Sequence, residues 1–584
     1  MSSAIKKKTA ANISVLDTLK LLDGEFHEVA EGVAKGEYAL WLGSGISRER
    51  VPDLRIVARR VLDYLSKEAR AEADDGPFKR ALSKALDYAL TTAEKVGVDQ
   101  SVEPAQWPNV DTIVDRLVGK YALLLDLRIA GKRSDHLVWD IVDVRNTYAN
   151  DNLEPDCEHI AIAVLALEGV IPKVASANWD GLVEKAAASI TNGNQDIVAI
   201  MVRADDIPGA NGRTHLHKFH GCAVRAKQSE ELYREYIVGR DQQITDWPND
   251  PKFALMKNQL DGMSVTYRTL MIGLSAQDSN IKDIFSAGRA MLKRAWPAHP
   301  PAYVFAGDEL GAEQGTMIKS VYQDDYDNHQ EEIEKGAKIP AYGKPLLSAL
   351  VLSVLSQKLA SFIRLANAPL LLAPERKRIA DGAMEIRDLI AALAGDSSDD
   401  KRNFVNGLVA GITRNLAMFR GDNHALVNRV YGPVGTVPIG QMGNDPNLQN
   451  SGMPELAMFV GAVGLGTAVE GWTLTQPVGG PDVGSFSIST PASVAPQKVF
   501  VVSNNETVSK LVGEGVLDES DTNTIVAVCS APVPRRQTNP SATYGRAGKD
   551  DAPSGCREFS FKSLVENATG ADHLLARLKE EATL

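Results

Sequence analysis

Glycines at 43 and 45, an Asn and an Asp at 178 and 180, and a His at 220 each follow directly on an apolar run. In Leu40-Trp41-Leu42-Gly43-Ser44-Gly45-Ile46-Ser47, Ser176-Ala177-Asn178-Trp179-Asp180 and Lys218-Phe219-His220-Gly221-Cys222, small or polar residues stand where a buried parallel strand would end. The loops after such strands open onto a cofactor crevice. Glycines there let the backbone come close to a pyrophosphate. An imidazole ordinarily titrates near pH ~6.5, which suits a general base at His220.

Each segment also has a plain structural reading. A glycine pair after a strand is the composition of a tight turn. Asn178 and Asp180 are favoured caps for a helix starting near Gly181. His220 could be a hydrogen-bonded core histidine, and Ser275 and Asp278 strand-end and turn residues. His215, His217, His220 and Cys222 invite a metal reading, because strand alternation puts His215 and His217 on one face, but no second ligand cluster accompanies them. No metal is expected.

The elements that must position these residues are legible in part. Tyr38 to Leu42 reads as a short buried strand, followed past Pro52 by a helix with Leu54, Val57, Val61, Leu62 and Leu65 on one face. Further strands are expected before Asn178, before His220, over 270–274 and over 302–308. Between the first two strands, residues 56–170 read mostly as helices, with apolar spacing over 79–96, 110–127 and 158–169.

Taken together, the segments resemble the sirtuin superfamily. Its members carry a glycine–alanine–glycine–isoleucine–serine loop, an asparagine–isoleucine–aspartate strand end, a histidine–glycine pair and a glycine–threonine–serine strand end, in that order. The counterparts are Gly43 to Ser47, Asn178-Trp179-Asp180, His220-Gly221 and the stretch from Gly273 to Ile281. The stretches from Asn178 to Glu184 and from Gly273 to Ile281 are more similar to bacterial defence-associated sirtuin-like proteins than to the protein deacylases.

The resemblance implies an α/β Rossmann-like fold, a parallel sheet with helices on both faces, over residues 1–342. It implies NAD as substrate, with Gly43, Ser44, Gly45, Ile46, Ser47, Asp53, Arg55, Gly273, Ser275 and Asp278 in contact with it. Asn178 would contact the ribose and water, Asp180 would hold the nicotinamide-ribose region, and His220 would act as general base. Deacylases hold a structural zinc with two Cys-x-x-Cys pairs. Cys157, Cys222, Cys529 and Cys556 form no such pair, so no zinc is expected. Leu54 stands where the deacylases place a phenylalanine.

Cleavage of the nicotinamide–ribose bond passes through an oxocarbenium-like ribose, which needs polar groups and a held water in a pocket largely closed to solvent. Three functions follow as alternatives. The first is an NAD+ glycohydrolase acting in antiphage defence by NAD+ depletion. The others are an NAD-dependent protein deacylase and a non-catalytic module sensing NAD or ADP-ribose.

Composition sets the setting. Four cysteines in 584 residues make no disulfide framework. Residues 1–14 lack the apolar core of a signal peptide, so a cytoplasmic protein is expected. No apolar run of the roughly 18 residues needed to span a bilayer is expected; 348–373 and 457–468 are broken by polar or glycine positions. With a net charge of −12 and no basic tract beyond Lys6-Lys7-Lys8, direct nucleic-acid binding is not expected.

A second, α+β region is expected over 343–584, serving regulation, oligomerisation or partner docking. Helical spacing covers 346–366, 376–393 and 402–420. Strand-like runs lie at 484–490, 498–503 and 523–530 within a Gly-, Pro- and Ser-rich stretch from 431 to 555, of which 532–553 reads as a mobile loop. The segment 461–472 reads as close-packed core or interface, and a last helix over 561–581. A homo-oligomer is expected, with a hexameric translocase ATPase or a short Argonaute as the resemblance's candidate partners.

Overall fold

The computed structural model describes residues 9–584 apart from 74, 194–196, 208–213, 277, 293–295, 423–429, 477–483 and 532–554. The expected mobile loop at 532–553 and the tract Lys6-Lys7-Lys8 lie outside the described residues.

Seven strands form one sheet: β1 (Tyr38–Leu42), β2 (Lys173–Ser176), β3 (Val198–Met201), β4 (Thr214–Lys218), β5 (Arg268–Ile272), β6 (Tyr303–Ala306) and β7 (Lys338–Ile339). Their order is β3-β4-β2-β1-β5-β6-β7. Every pairing in it is parallel. All five residues of β1 are buried because it lies at the centre with both faces covered. Tyr38, Leu40 and Leu42 point into one core, Ala39 and Trp41 into the other.

The first core is roofed by helices Val15–Asp23, His27–Ala34, Cys157–Leu167, Leu182–Ile190 and Gly343–Leu365. Helices Leu54–Ala71, Ala254–Thr266, Ser279–Met291 and Ala312–Tyr322 cover the second. This is a Rossmann-like α/β arrangement. From β1 the chain moves to the β2 side, and only after β4 does it return to the other side as β5. The connections leaving β1 and β5 therefore diverge, which opens a crevice beyond their carboxyl ends. Between β1 and β2 the chain makes helices, among them Pro77–Ala89, Val110–Val118 and Tyr121–Leu125.

Beyond β7 the chain adds α and β structure. A second sheet, in the order β12-β11-β10-β9-β8, joins β8 (Thr473–Thr475), β9 (Phe486–Ser489), β10 (Gln497–Val502), β11 (Thr524–Val528) and β12 (Arg557–Ser560). β10, β11 and β12 pair in parallel, whereas β8 and β9 are antiparallel additions.

Three expectations need correction. The Gly-, Pro- and Ser-rich stretch from 431 also contains an 18-residue core helix, Met453–Glu470, which takes in most of the segment 461–472 and packs on helix Ala373–Ala391 and the C-terminal helices. The last helix is two, Phe561–Asn567 and Ala571–Ala582, parted by Thr569-Gly570. Two helices, Gly343–Leu365 and Met453–Glu470, are long and apolar enough to cross a membrane, with mean hydropathies of 1.8 and 1.2. Their most apolar windows are 78% and 67% buried within the protein, as expected of core helices.

Helix Gly343–Leu365 is tied down by a buried charge pair. Lys358 Nζ donates to Glu168 Oε2 at 2.7 Å, with both side chains fully buried. It also donates to the carbonyls of Glu168 and Gly435, while Glu168 accepts from the Tyr431 hydroxyl and from the Val434 and Gly435 N–H groups. Every charge is met by a hydrogen bond, the condition under which a buried pair is tolerated.

The helices Ala373–Ala391 and Met453–Glu470 approach backbone to backbone through Gly382, Gly461 and Gly464. A Cβ on Gly464 would overlap the Gly382 carbonyl, an obstacle that cannot swing aside. Gly464→Val is therefore expected to cost about 3 kcal/mol or more. Gly407, in helix Ser398–Arg420, has nothing within 4 Å of its Cβ position. Gly407→Ala is expected to add about 0.5–1 kcal/mol. Urea unfolding midpoints of the two variants check both signs.

Candidate active site

The loops after β1 and β5 meet at the crevice, and glycine is what lets them meet. Gly43 N–H donates to Ile272 O and Gly45 N–H to Gly273 O, both at 3.1 Å. A Cβ on Gly45 would lie 2.6 Å from Gly273 Cα, and one on Gly43 would overlap the Gly273 carbonyl. Gly273 itself sits at φ +66°, where glycine is favoured. Both N–H groups are thus engaged by the neighbouring loop. Ser44 and Ser275 are exposed at the rim, Gly45 is half-buried, and Ile46 and Ser47 are buried.

His220 follows β4, and Gly221 behind it takes φ +93° because a Cβ would meet the Tyr236 carbonyl at 2.5 Å. His220 Nε2 lies 2.9 Å from Asp278 Oδ2. The same carboxylate accepts from Trp247 Nε1 at 3.2 Å and from the Asn280 N–H at 2.9 Å. Burial by itself would raise the Asp278 pKa, but the His220, Asn280 and Trp247 bonds outweigh it and hold the carboxyl below its ordinary value. An ionised Asp278 takes the Nε2 proton side of the ring. Nδ1, for which the described residues supply no hydrogen-bond partner, is left to receive a proton.

Asp278, expected in contact with the cofactor, is the partner of His220. Asp278 also caps helix Ser279–Met291. Phe219 and Trp247 pack edge-on against the imidazole, with ring centroids at 4.6 and 6.2 Å. Tyr121 closes in from the helices between β1 and β2, its pKa pushed up to about 12 by burial and by the Asp278 charge.

From the end of β2, Asn178 Nδ2 reaches Ser47 Oγ at 3.4 Å, and Asn178 Oδ1 is buried with no partner. An orphaned buried acceptor costs free energy unless a ligand or water completes it. Asp180, one residue before the Gly181 N-cap, accepts at Oδ1 from the Leu182 N–H at 3.1 Å, and its carbonyl accepts from Lys218 Nζ. Trp179, between them, is fixed by Nε1 to the Val238 carbonyl at 3.2 Å and by an edge contact with Tyr148. Asn178, Asp180 and His220 are 7%, 5% and 8% exposed, so the inner end of the crevice is closed.

Two assigned residues have other tasks. Asp53 caps helix Leu54–Ala71 through the Ile56 N–H at 2.9 Å. The Arg55 guanidinium pairs with Asp111 at 3.0 Å and with Asp115, both on helix Val110–Val118. His215 Nδ1 contacts Lys173 Nζ at 2.6 Å, and burial lowers His217 to about 3, leaving a neutral ring with both nitrogens unpartnered. A cavity of about 690 Å³ is lined by Tyr148, Gly181, Glu184, Cys222 and Arg225, among others, and by none of the candidate site residues.

Sequence reasoning missed the head of helix Cys157–Leu167. Asp156 caps it, and His159 Nδ1 accepts the Asp156 N–H at 3.0 Å while Nε2 lies 3.1 Å from Ser47 Oγ. An Asp followed three residues later by a side chain that reaches back is a capping pattern, and that was the available signal. Arg50 and Lys344 each bond Asp156 at 2.9 Å. Burial would raise that carboxyl, yet these partners bring it down to about 2. Ligand atoms of Asp156, Cys157 and Glu158 lie within 4.8 Å of one another. Burial keeps the Cys157 thiol and the Glu158 carboxyl protonated, the latter raised to about 8, so the trio presents two cations' partner and two neutral groups rather than a metal site.

The family model described as the SIR2-like domain matches residues 172–327. That span is SIR2-like and carries Asn178, Asp180, His220, Gly273, Ser275 and Asp278; the loop after β1 precedes it. No curated protein matches. Among solved structures, 59 chains match. One, from "Structural Basis for the Mechanism and Regulation of Sir2 Enzymes", is 13% identical, over 57% of this chain and 99% of that chain, with a TM-score of 0.26. At that score the likeness carries no weight, and the architecture rests on strand order and register.

Glu158 gives a pH signature. Its folded pKa of about 8 lies above an unfolded value near ~4.3, so the folded state binds more protons between the two and stability falls as pH rises through that window. His159 works oppositely below its unfolded pKa of ~6.5, because burial lowers it to about 4. Glu158 alone of the two therefore governs pH 6.5 to 8. Glu158→Gln is expected to flatten the decline there, read as urea midpoints at pH 6.5 and 8 against the unmodified protein.

Proposed function

We propose that the protein is an NAD+ glycohydrolase, cleaving NAD+ to nicotinamide and ADP-ribose, and that it acts in bacterial antiphage defence by NAD+ depletion. The observation that carries the reading is the His220–Asp278 pair, which leaves one imidazole nitrogen free as a base beside the unpartnered Asn178 Oδ1. A module that only senses a nucleotide has no need of a base oriented by a buried carboxylate.

In the proposed reaction the bond between the ribose C1′ and the nicotinamide nitrogen breaks, and its electron pair leaves with nicotinamide, neutralising the pyridinium. Water adds to C1′ and gives its proton to His220 Nδ1, while Asp278 stabilises the imidazolium through Nε2. Asn178 Oδ1 is placed to accept from the attacking water or a ribose hydroxyl, and the Asp180 carboxylate to favour the cationic ribose. Tyr121, Trp247 and Phe219 keep bulk water out.

Unrestrained turnover would drain a central cofactor, so we assign restraint to the residues after 342, in a homo-oligomer or with a protein partner. Support for coupling comes from Lys344, which bonds Glu49 at 2.7 Å, and from Ser398, which bonds the same carboxylate at 3.2 Å. Both hold the loop that follows Ser47.

His220→Ala and Asn178→Ala are each expected to lower nicotinamide release by about a hundredfold or more with the thermal transition retained. Chromatography of NAD+ reactions, with and without an acetyl-lysine peptide, checks this. Nicotinamide released only with the peptide would favour a deacylase, and wild-type turnover in both variants would remove the assignment.

A further inference from the structure

We infer that His159 is a positioning residue for Ser47: it fills one lone pair of the Ser47 hydroxyl so that the hydroxyl proton is directed to an oxygen of the bound dinucleotide. The inference rests on the proposed function for the identity of that ligand, but its geometry stands apart from it.

The hydrogen bonds determine the direction of every proton in the array. The Asp156 backbone N–H can only donate, so His159 Nδ1, 3.0 Å away, must accept and carries no proton. A neutral ring then bears its hydrogen on Nε2, which faces Ser47 Oγ at 3.1 Å and donates to it. Asn178 Nδ2 donates to the same oxygen at 3.4 Å. A hydroxyl has two lone pairs and one proton. With both lone pairs engaged, the Ser47 O–H has only donation left, and the described residues offer it no acceptor. Beside it Asn178 Oδ1 is also buried without a partner. One donor and one acceptor are thus left over at the junction of the β1 and β2 loops, a pair that matches a ribose or phosphate oxygen and a hydroxyl.

Nδ1 closes the cap of its own helix, and Ser47 is the partner of Nε2. His159 is fully buried at the head of a helix whose residues 157–166 are all buried, and burial lowers its pKa to about 4, so it stays neutral across physiological pH. Asp156, whose N–H sets the tautomer, is fixed by Arg50 and Lys344 at 2.9 Å each. An apolar residue would fill this core position at less cost, since a buried imidazole must find two partners. A cap needs one of the ring's nitrogens; the hydroxyl accounts for the other.

The test compares His159→Gln with His159→Leu. Glutamine can accept the Asp156 N–H with its carbonyl and donate to Ser47 with its amide; leucine can do neither. If the inference is right, Leu raises the KM for NAD+ tenfold or more with kcat changed less than threefold, Gln restores KM to within threefold, and Ser47→Ala matches Leu. A wild-type KM in the Leu variant, or equal damage by Gln and Leu, overturns it. Imidazole ¹⁵N spectra of the full chain, with no NAD+ present, give a reading that survives failure of the proposed function. The His159 signal should be the Nε2–H tautomer at pH 7, with a shift that Ser47→Ala changes. An Nδ1–H tautomer, or a signal indifferent to Ser47→Ala, also overturns it.

Discussion

The contact on which the site depends is the backbone approach of Gly43 and Gly45 to Gly273. Two neighbouring parallel strands whose connections run to opposite sides of the sheet would ordinarily part at their ends. Here the first residues beyond β1 and β5 are stitched by two N–H···O=C bonds, and no side chain fits between them. The stitch brings Ser47 under Asn178 and sets the chain that leads to Asp278 opposite His220. The glycines therefore serve the site by shaping its floor, and their N–H groups are not what a phosphate would meet.

Charge is handled by pairing inside this floor. Asp278 is kept ionised against burial by three donors, whereas at Glu158 burial outweighs the Lys344 charge and the backbone N–H and keeps the carboxyl neutral. His159 is neutral and His217 is neutral for the same reason of burial, yet only His159 has partners on both nitrogens. Environment rather than residue type decides which of these groups can exchange a proton. The exposed rim, with Ser44 and Ser275, contrasts with an inner end that water barely reaches.

The central sheet was legible in the sequence because a buried parallel strand is a short apolar run, as in Tyr38–Leu42 and at 270–272. His220, Asn178 and Asp180 were legible because they end such runs. Asp278 was found, but its partner was not, since residues 220 and 278 are joined only by the fold. His159 and Glu158 were hidden by their setting in an apolar helix head, where charge reads as solvation. The segment 461–472 reads as close-packed, but its helix, Met453–Glu470, did not show because glycines are poor helix formers, while in the structure they admit the Gly382 backbone. β7 spans only Lys338–Ile339, too short for a period to show.

The buried pair of Lys358 and Glu168 has a consequence for synthesis. Glu168 and Tyr431, which bonds it, are 263 residues apart in the chain, and helix Gly343–Leu365 is the lid of the core that β1, β2 and β5 face. A nascent chain that has made every catalytic candidate still lacks that lid, and the part of the core beneath it is open. Domains fold as they emerge, but this one has no complete interior until the residues around Lys358 and Tyr431 have followed. The order of translation thus delays a finished crevice until the residues proposed to restrain it are themselves being made.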